Sequence, residues 1–367
     1  MRVLIVAGAR PNFMKIAPIY REARKRGVGC KLVHTGQHYD TEMSGTFFED
    51  LDIPVPDFML NAGAGSHAVQ TARIMVRFEK VCLAEKPQLL MTVGDVNSTL
   101  ACSIVAKKLG IQVAHVEAGL RSGDMAMPEE INRIVTDSIS DYFFVTEESG
   151  IQNLLKEAKR RDSIHFVGNV MIDNLLHQVK QLDAPSPAFL QTSVYALKPV
   201  ERSYAFLTLH RPSNVDRKST FEEIAEALNV IAKKRKIFFP MHPRTKKAAK
   251  AFHIQFSKNI VLLPPLSFKE SLYLWKDAEV VLTDSGGLQE ETTALGVPCV
   301  TIRENTERPI TVEKGTNVLA GTKRSIIIDA YGESIKKAAS ASLPRYWDGK
   351  ASHRIWEILM RAFPSDC

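Results

Sequence analysis

Carboxylates recur where short apolar runs end. Asp95 closes Thr92-Val93-Gly94-Asp95, Glu117 follows Ala114-His115-Val116, and Glu129 and Glu130 come directly after Met127-Pro128. Apolar runs of this length bounded by Gly read as buried parallel strands, and open α/β sheets collect ligands at the C-terminal ends of such strands. Neighbouring parallel strands lie about 4.8 Å apart, so Asp95 and Glu117 share one small volume if their strands are adjacent. Acids so crowded can trade protons near neutral pH. Each acid alone has a plainer reading, because an acid at a helix start is often only a cap, as Glu129 and Glu130 would be after Pro128. Their recurrence at successive strand ends is what points to a site.

Two further segments have the composition of anion sites. Val3–Ala7 runs into Gly8-Ala9-Arg10-Pro11-Asn12-Phe13-Met14-Lys15, a tight strand-to-helix turn carrying the cations Arg10 and Lys15. The free amides and dipole of a helix start favour phosphate, although two exposed cations can equally be surface charges. In the second half, Thr283-Asp284-Ser285-Gly286-Gly287-Leu288-Gln289-Glu290-Glu291 passes from a strand through a glycine pair into a helix. The pair opens backbone amides to a phosphate, Ser285 adds a hydroxyl, and Glu291, one turn in, can accept from a ribose diol. Leu209-His210-Arg211 sets a His at another strand end, where a lone His is more often structural than catalytic.

These positions need a frame, and 367 residues exceed what one core serves, so two domains are expected. Short apolar runs alternate with amphipathic segments twice over, the pattern of parallel βα units. Strands are expected near Val3–Ala7, Cys30–Thr35, Leu89–Val93, Val113–Val116, Tyr142–Val145 and Ile164–Val167. After Asp183-Ala184-Pro185-Ser186-Pro187, read as a linker, they are expected near Tyr204–Leu209, Ile237–Pro240, Ile260–Leu263, Val280–Thr283 and Cys299–Ile302. Helices are clearest over 67–85, 99–109, 129–140, 148–158, 221–234 and 267–276. The fold class is therefore α/β, two doubly wound Rossmann-like domains with ligands expected in the cleft between them.

Composition narrows the partners. The net charge of +7 suits an anionic ligand, but Lys233-Lys234-Arg235-Lys236 and Lys246-Lys247 lack aromatic interleaving or a nucleic-acid motif, so no nucleic acid is expected. No apolar stretch approaches the ~20 residues of a membrane span, and the first strand is too short and wrongly flanked for a signal peptide. Five scattered cysteines show no metal spacing and read as reduced thiols, giving a cytoplasmic expectation. Gly63-Ala64-Gly65-Ser66-His67-Ala68 fits a loose dinucleotide fingerprint without a convincing strand before it, which leaves a nicotinamide dehydrogenase poorly supported.

Several motifs then combine in one order: Gly8-Ala9-Arg10-Pro11, Gly36-Gln37-His38, Gly94-Asp95, His115-Val116-Glu117-Ala118-Gly119-Leu120-Arg121, Pro128-Glu129-Glu130-Ile131-Asn132-Arg133, Asp284 through Glu291, and Thr306-Glu307-Arg308-Pro309. With them the chain resembles the non-hydrolysing UDP-N-acetylglucosamine 2-epimerases over almost its full length. The resemblance implies the GT-B fold, a homodimer, and a last helix that returns to the first domain. It implies domains at 1–170 with 347–367, on the sugar and acid/base side, and 171–346, on the UDP side. It implies UDP-N-acetylglucosamine and UDP-N-acetylmannosamine as substrates, with neither metal nor redox cofactor.

Carried over by motif, Asp95, Glu117 and Glu129 would be the acid/base set and Arg133 would position the sugar or an acid. Arg10, Lys15, His210, Ser285, Gly286 and Gly287 would bind the diphosphate and Glu291 the ribose, with His210 also among the catalytic candidates. Gln37, His38 and His242 would be candidates for a regulatory site. Two departures fall on the sugar side: a short loop 123–128, and Ser138 where many relatives carry a His. Three alternatives stay open at this point: an epimerase of a modified sugar such as a UDP-diacetamido-uronic acid, a GT-B glycosyltransferase, and a UDP-sugar sensor without turnover.

Overall fold

A computed structural model describes residues 1–36, 45–199 and 203–364. Gln37 and His38 lie outside them. The chain divides into two compact units, Met1–Asn174 with the segment from Arg345 onward, and Leu175–Pro344.

The first unit is built on seven parallel strands: β1 (Arg2–Ala7), β2 (Gly29–His34), β3 (Phe58–Met59), β4 (Leu89–Val93), β5 (Gln112–Val116), β6 (Tyr142–Val145) and β7 (Ile164–Phe166). Their order, β3-β2-β1-β4-β5-β6-β7, puts β4 and β5 side by side, with Val93 level with Val116. Every residue of β4 is buried, as a strand covered by helices on both faces requires. Helix His67–Glu85 lays Gln70, Ile74, Phe78, Val81 and Cys82 on this core. Its first turn is capped by Ser66, which accepts from the Val69 amide, and it ends at Lys86 in the left-handed region.

Helix Ala351–Ala362 packs on helix Arg10–Lys25 of the same unit. The Trp356 indole donates to the Ile19 carbonyl at 2.8 Å, and Asp173 caps the helix by accepting from the Ala351 and Ser352 amides.

The second unit repeats the plan with β8 (Tyr204–Thr208), β9 (Lys236–Pro240), β10 (Ile260–Leu263), β11 (Val280–Thr283), β12 (Cys299–Thr301) and β13 (Asn317–Leu319), in the order β10-β9-β8-β11-β12-β13. Its core gathers Leu207, Phe221, Leu228, Phe239, Leu282 and Val300, all fully buried.

Two short strands were not expected, β3 and β13. Each forms only two or three ladder pairs, too few to leave a period in the sequence. Around the stretch read as a linker, residues 184–186 do lie outside helices and strands, but regular structure closes on both sides of them. A helix runs Val170–Asp183, and the division between units falls inside it. Pro187 opens the short helix Pro187–Leu190 beneath a Ser186 cap, because the first helical position needs no amide hydrogen.

Candidate active site

In the first unit the chemistry gathers at the ends of β4 and β5. Asp95 and Glu117 follow adjacent strands, and the guanidinium of Arg133 joins them, Nη2 lying 2.5 Å from Asp95 Oδ2 and 3.1 Å from Glu117 Oε1. Lys15 Nζ sits 2.6 Å from the other Glu117 oxygen. Burial works against the Arg133 charge, yet the carboxylates of Asp95, Glu117 and Asp137 outweigh it and hold its pKa above the ordinary value. Helix Pro128–Ile139 supplies Arg133 and also Asn132, whose amide donates to the Asp95 carbonyl at 2.9 Å. Glu117 itself stands at φ 71, a conformation that costs a side-chain-bearing residue of order 1 kcal/mol or more. It is held there by the Glu117 and Ala118 amides, which both donate to the Phe144 carbonyl.

Beneath these carboxylates lies a second buried pair. His115 Nδ1 is 2.6 Å from Asp137 Oδ1, and His115 Nε2 is 2.8 Å from the Gly94 carbonyl, so both ring nitrogens face acceptors. The other Asp137 oxygen accepts from the Gly119 amide at 3.0 Å and from Arg121 at 2.8 Å. Burial would raise the Asp137 pKa, but His115 and Arg121 hold it below the usual carboxylate value. Both side chains are fully buried, so together they tie the Gly94-Asp95 turn to the Glu117–Gly119 turn.

In the second unit a cavity of about 370 Å³ opens at the ends of β8, β9 and β11. Pro240, Pro265, Leu266, Phe268 and Trp275 give it apolar walls. Ser285 and Gly287, at the start of helix Gly286–Leu295, supply its polar end, and an added Cβ at Gly287 would meet nothing within 4 Å. His210 stands beside them, with Nδ1 2.9 Å from the fully buried Asp284. Asp284 also accepts from the His210 and Arg211 amides, and although burial raises its pKa, these partners bring it below normal. Glu291 lines the same cavity, and burial, reinforced by neighbouring Glu290, pushes its pKa up to about 8.

The cavity thus combines apolar walls with a helix start, which as a type suits anions, while the first unit holds paired acids beside cations. A family model for UDP-N-acetylglucosamine 2-epimerase matches residues 21–360. The chain belongs to the UDP-N-acetylglucosamine 2-epimerase family. A family member from Methanocaldococcus jannaschii, named UDP-N-acetylglucosamine 2-epimerase, is 42% identical over 98% of this chain and 99% of its own. Its crystal structure in complex with UDP-GlcNAc and UDP matches at 41% identity with a TM-score of 0.84, covering 98% of this chain and all of that one. A second relative, from Pseudomonas aeruginosa, is 38% identical over 98% of this chain and 100% of its own; its name is UDP-2,3-diacetamido-2,3-dideoxy-D-glucuronate 2-epimerase. The α/β fold is the GT-B fold of the family, with two Rossmann-like units.

Of the residues singled out from sequence, Asp95, Glu117 and Arg133 come together, and Lys15 joins them as the partner of Glu117. Arg10 opens helix Arg10–Lys25. Glu129 is exposed one turn before Arg133, on the same face of their helix, and its side chain makes no hydrogen bond or ion pair with a described residue. His210, Ser285, Gly287 and Glu291 line one cavity, with Gly286 opening the helix at its polar end. His242 lines that same cavity, its ring 5.8 Å from that of His210. Ser138 is exposed, five positions beyond Arg133 and so turned well away from it, and it hydrogen-bonds the Val135 carbonyl. The departure at 138 therefore falls outside the carboxylate cluster.

Sequence reasoning missed Asp137, Asn132 and Asp284. Asp137 had one visible signal, its place four residues after Arg133, but that spacing reads first as a solvated helix pair.

Proposed function

We propose that this chain is a non-hydrolysing UDP-N-acetylglucosamine 2-epimerase, interconverting UDP-N-acetylglucosamine and UDP-N-acetylmannosamine. The observation that carries the reading is the Asp95–Glu117 pair bridged by Arg133, with Lys15 on the other Glu117 oxygen. The hydrogen on the sugar's C2 is not acidified by a neighbouring carbonyl, so its removal requires UDP to depart from C1. The C1–O bond breaks with its electron pair going to the diphosphate, and the C2–H pair becomes the C1=C2 double bond of a glycal. A proton returned to the other face of C2, and readdition of UDP, complete the inversion. Asp95, Glu117 and Glu129 would carry these protons, with Arg133 and Lys15 fixing the carboxylates.

The second unit suits the nucleotide. Helix Gly286–Leu295, Ser285 and His210 would hold the diphosphate, with Arg10 as a further cation, and Glu291 the ribose. His242, in the same cavity, suits nucleotide binding as well as the regulatory role suggested by resemblance. The proposal extends to a homodimer working in the cytoplasm, a setting in keeping with the free thiols of Cys30, Cys82, Cys102 and Cys299.

Incubation with UDP-N-acetylglucosamine in deuterated water, followed by NMR of the sugar, tests the reaction. Deuterium should enter at C2, and Asp95→Asn or Glu117→Gln should slow exchange by about 100-fold or more while UDP still binds. UDP binding with no exchange would overturn the reading. Exchange confined to a UDP-diacetamido-uronic acid would move the substrate to that of the Pseudomonas relative.

A further inference from the structure

Glu130 is a buried carboxylate that the proposed reaction does not use. It sits in the first turn of helix Pro128–Ile139 and is 5% exposed. Counted from the cap at Met127 it is the third helical residue, the place from which a Glu usually reaches back to the amide of the cap itself. Here it does not. The Met127 amide donates instead to the Asp124 carbonyl at 3.1 Å, and the Glu130 carboxylate turns to the loop before the helix. Its Oε2 accepts from the Ser122 amide at 2.8 Å and from the Ser122 hydroxyl at 3.0 Å, and its Oε1 accepts from the Gly123 amide at 3.1 Å. A carboxylate withdrawn from water this far is costly unless such donors meet it, so the loop and the acid hold each other in place.

That loop leads from one proposed acid to another, with Glu117 shortly before it and Glu129 directly after Pro128. Its near end is fixed, because Arg121 lies 2.8 Å from Asp137 and 2.7 Å from Glu157. Within it the Asp124 amide donates to the Ser122 hydroxyl and the Ala126 amide to the Asp124 carboxylate. Glu130 ties the start of the helix back to that fixed point. The Glu129 side chain has no hydrogen-bond or ion-pair partner among the described residues, so only the backbone of its turn places it.

We propose that Glu130 is a positioning residue for Glu129: by closing the loop from Ser122 to Met127 it sets the third acid relative to Asp95 and Glu117. The inference rests on the epimerase reading, and it adds a residue that acts on the reaction through another.

The test is a double-substitution cycle on the full chain, read as deuterium entry at C2 of UDP-N-acetylglucosamine. Glu130→Gln and Ser122→Ala are each measured alone and combined with Glu129→Gln. A Gln at this position offers its carbonyl oxygen to one group of donors and its NH2 to the other. Glu130→Gln should lower kcat by about 10- to 100-fold, the scale of a reacting group displaced by about 1 Å, and Ser122→Ala by less. KM and UDP affinity should stay near their wild-type values. In the Glu129→Gln background, followed at high enzyme concentration, neither substitution should slow exchange further, because a residue that acts through Glu129 then has nothing left to place.

Equal losses in both backgrounds overturn the inference, since they would come from the fold at large, and so do wild-type rates in both single variants. A Glu129→Gln chain that turns over at the wild-type rate overturns it too, and leaves the reading of Asp95 and Glu117 standing. Ser122→Ala keeps the buried carboxylate and decides the outcome if Glu130→Gln fails to fold. An unsubstituted chain that binds UDP without exchange removes the reaction, and the inference with it.

Discussion

Glu291 shows how one residue's surroundings set a measurable property of the whole site. Burial, with Glu290 beside it, raises its pKa to about 8, against 4.5 for an ordinary Glu. The folded state thus keeps a proton that the unfolded chain has lost, and the unliganded fold loses stability as pH rises between these two values. A ribose diol donating to this group favours its ionised form, so UDP should bind more tightly as pH climbs from 7 towards 9 and should release a proton near neutrality. Isothermal titration of UDP in buffers of different ionisation enthalpy reads both effects. Glu291→Gln cannot ionise. It should flatten the pH dependence and weaken UDP about tenfold or more at the alkaline end, the usual size of a lost charge-assisted hydrogen bond. Affinity that is flat or falling with pH in the native protein would take Glu291 off the ribose.

At the scale of elements, the carboxylates depend on two turns that never meet in sequence. The Gly94-Asp95 turn and the Glu117–Gly119 turn are joined by His115 and Asp137, and Asp137 comes from a helix that also delivers Asn132 and Arg133. Asp137→Asn removes the charge that holds His115 and Arg121. It should cost about 3–5 kcal/mol of stability, because breaking a buried ionic group strands its partners. Turnover should also fall tenfold or more with UDP affinity unchanged, since the cavity proposed for UDP lies in the other unit; loss of UDP binding would argue for general unfolding instead.

Such a device explains what the sequence did and did not reveal. Strands like Leu89–Val93 were legible because a strand buried on both faces is apolar without interruption, and the acids at their ends stood out against that background. Lys15 on Glu117 was not legible as an ion pair, because nothing local says that a cation fifteen residues into the chain turns towards the end of a strand a hundred residues later. Pro187 misled for a simpler reason. Proline breaks a helix interior but suits a helix start, and the capping Ser186 just before it was the cue.

At the scale of the molecule, the first unit is discontinuous in sequence, and the segment from Arg345 onward completes it. Trp356 is fully buried there, with Ile355 and Leu359, and its indole is tied to the Ile19 carbonyl. Trp356→Ala should therefore destabilise that unit by about 3–5 kcal/mol, the range for emptying a large aromatic site. Every residue lining the cavity proposed for UDP, by contrast, belongs to Leu175–Pro344. UDP at a hundred times its dissociation constant should stabilise that unit by about 2.7 kcal/mol. Scanning calorimetry separates the two effects: the substitution should lower one transition and UDP should raise the other. If both moved a single shared transition, the units would unfold as one body, and the proposed division of labour between a nucleotide-holding unit and a proton-handling unit would lack an energetic counterpart.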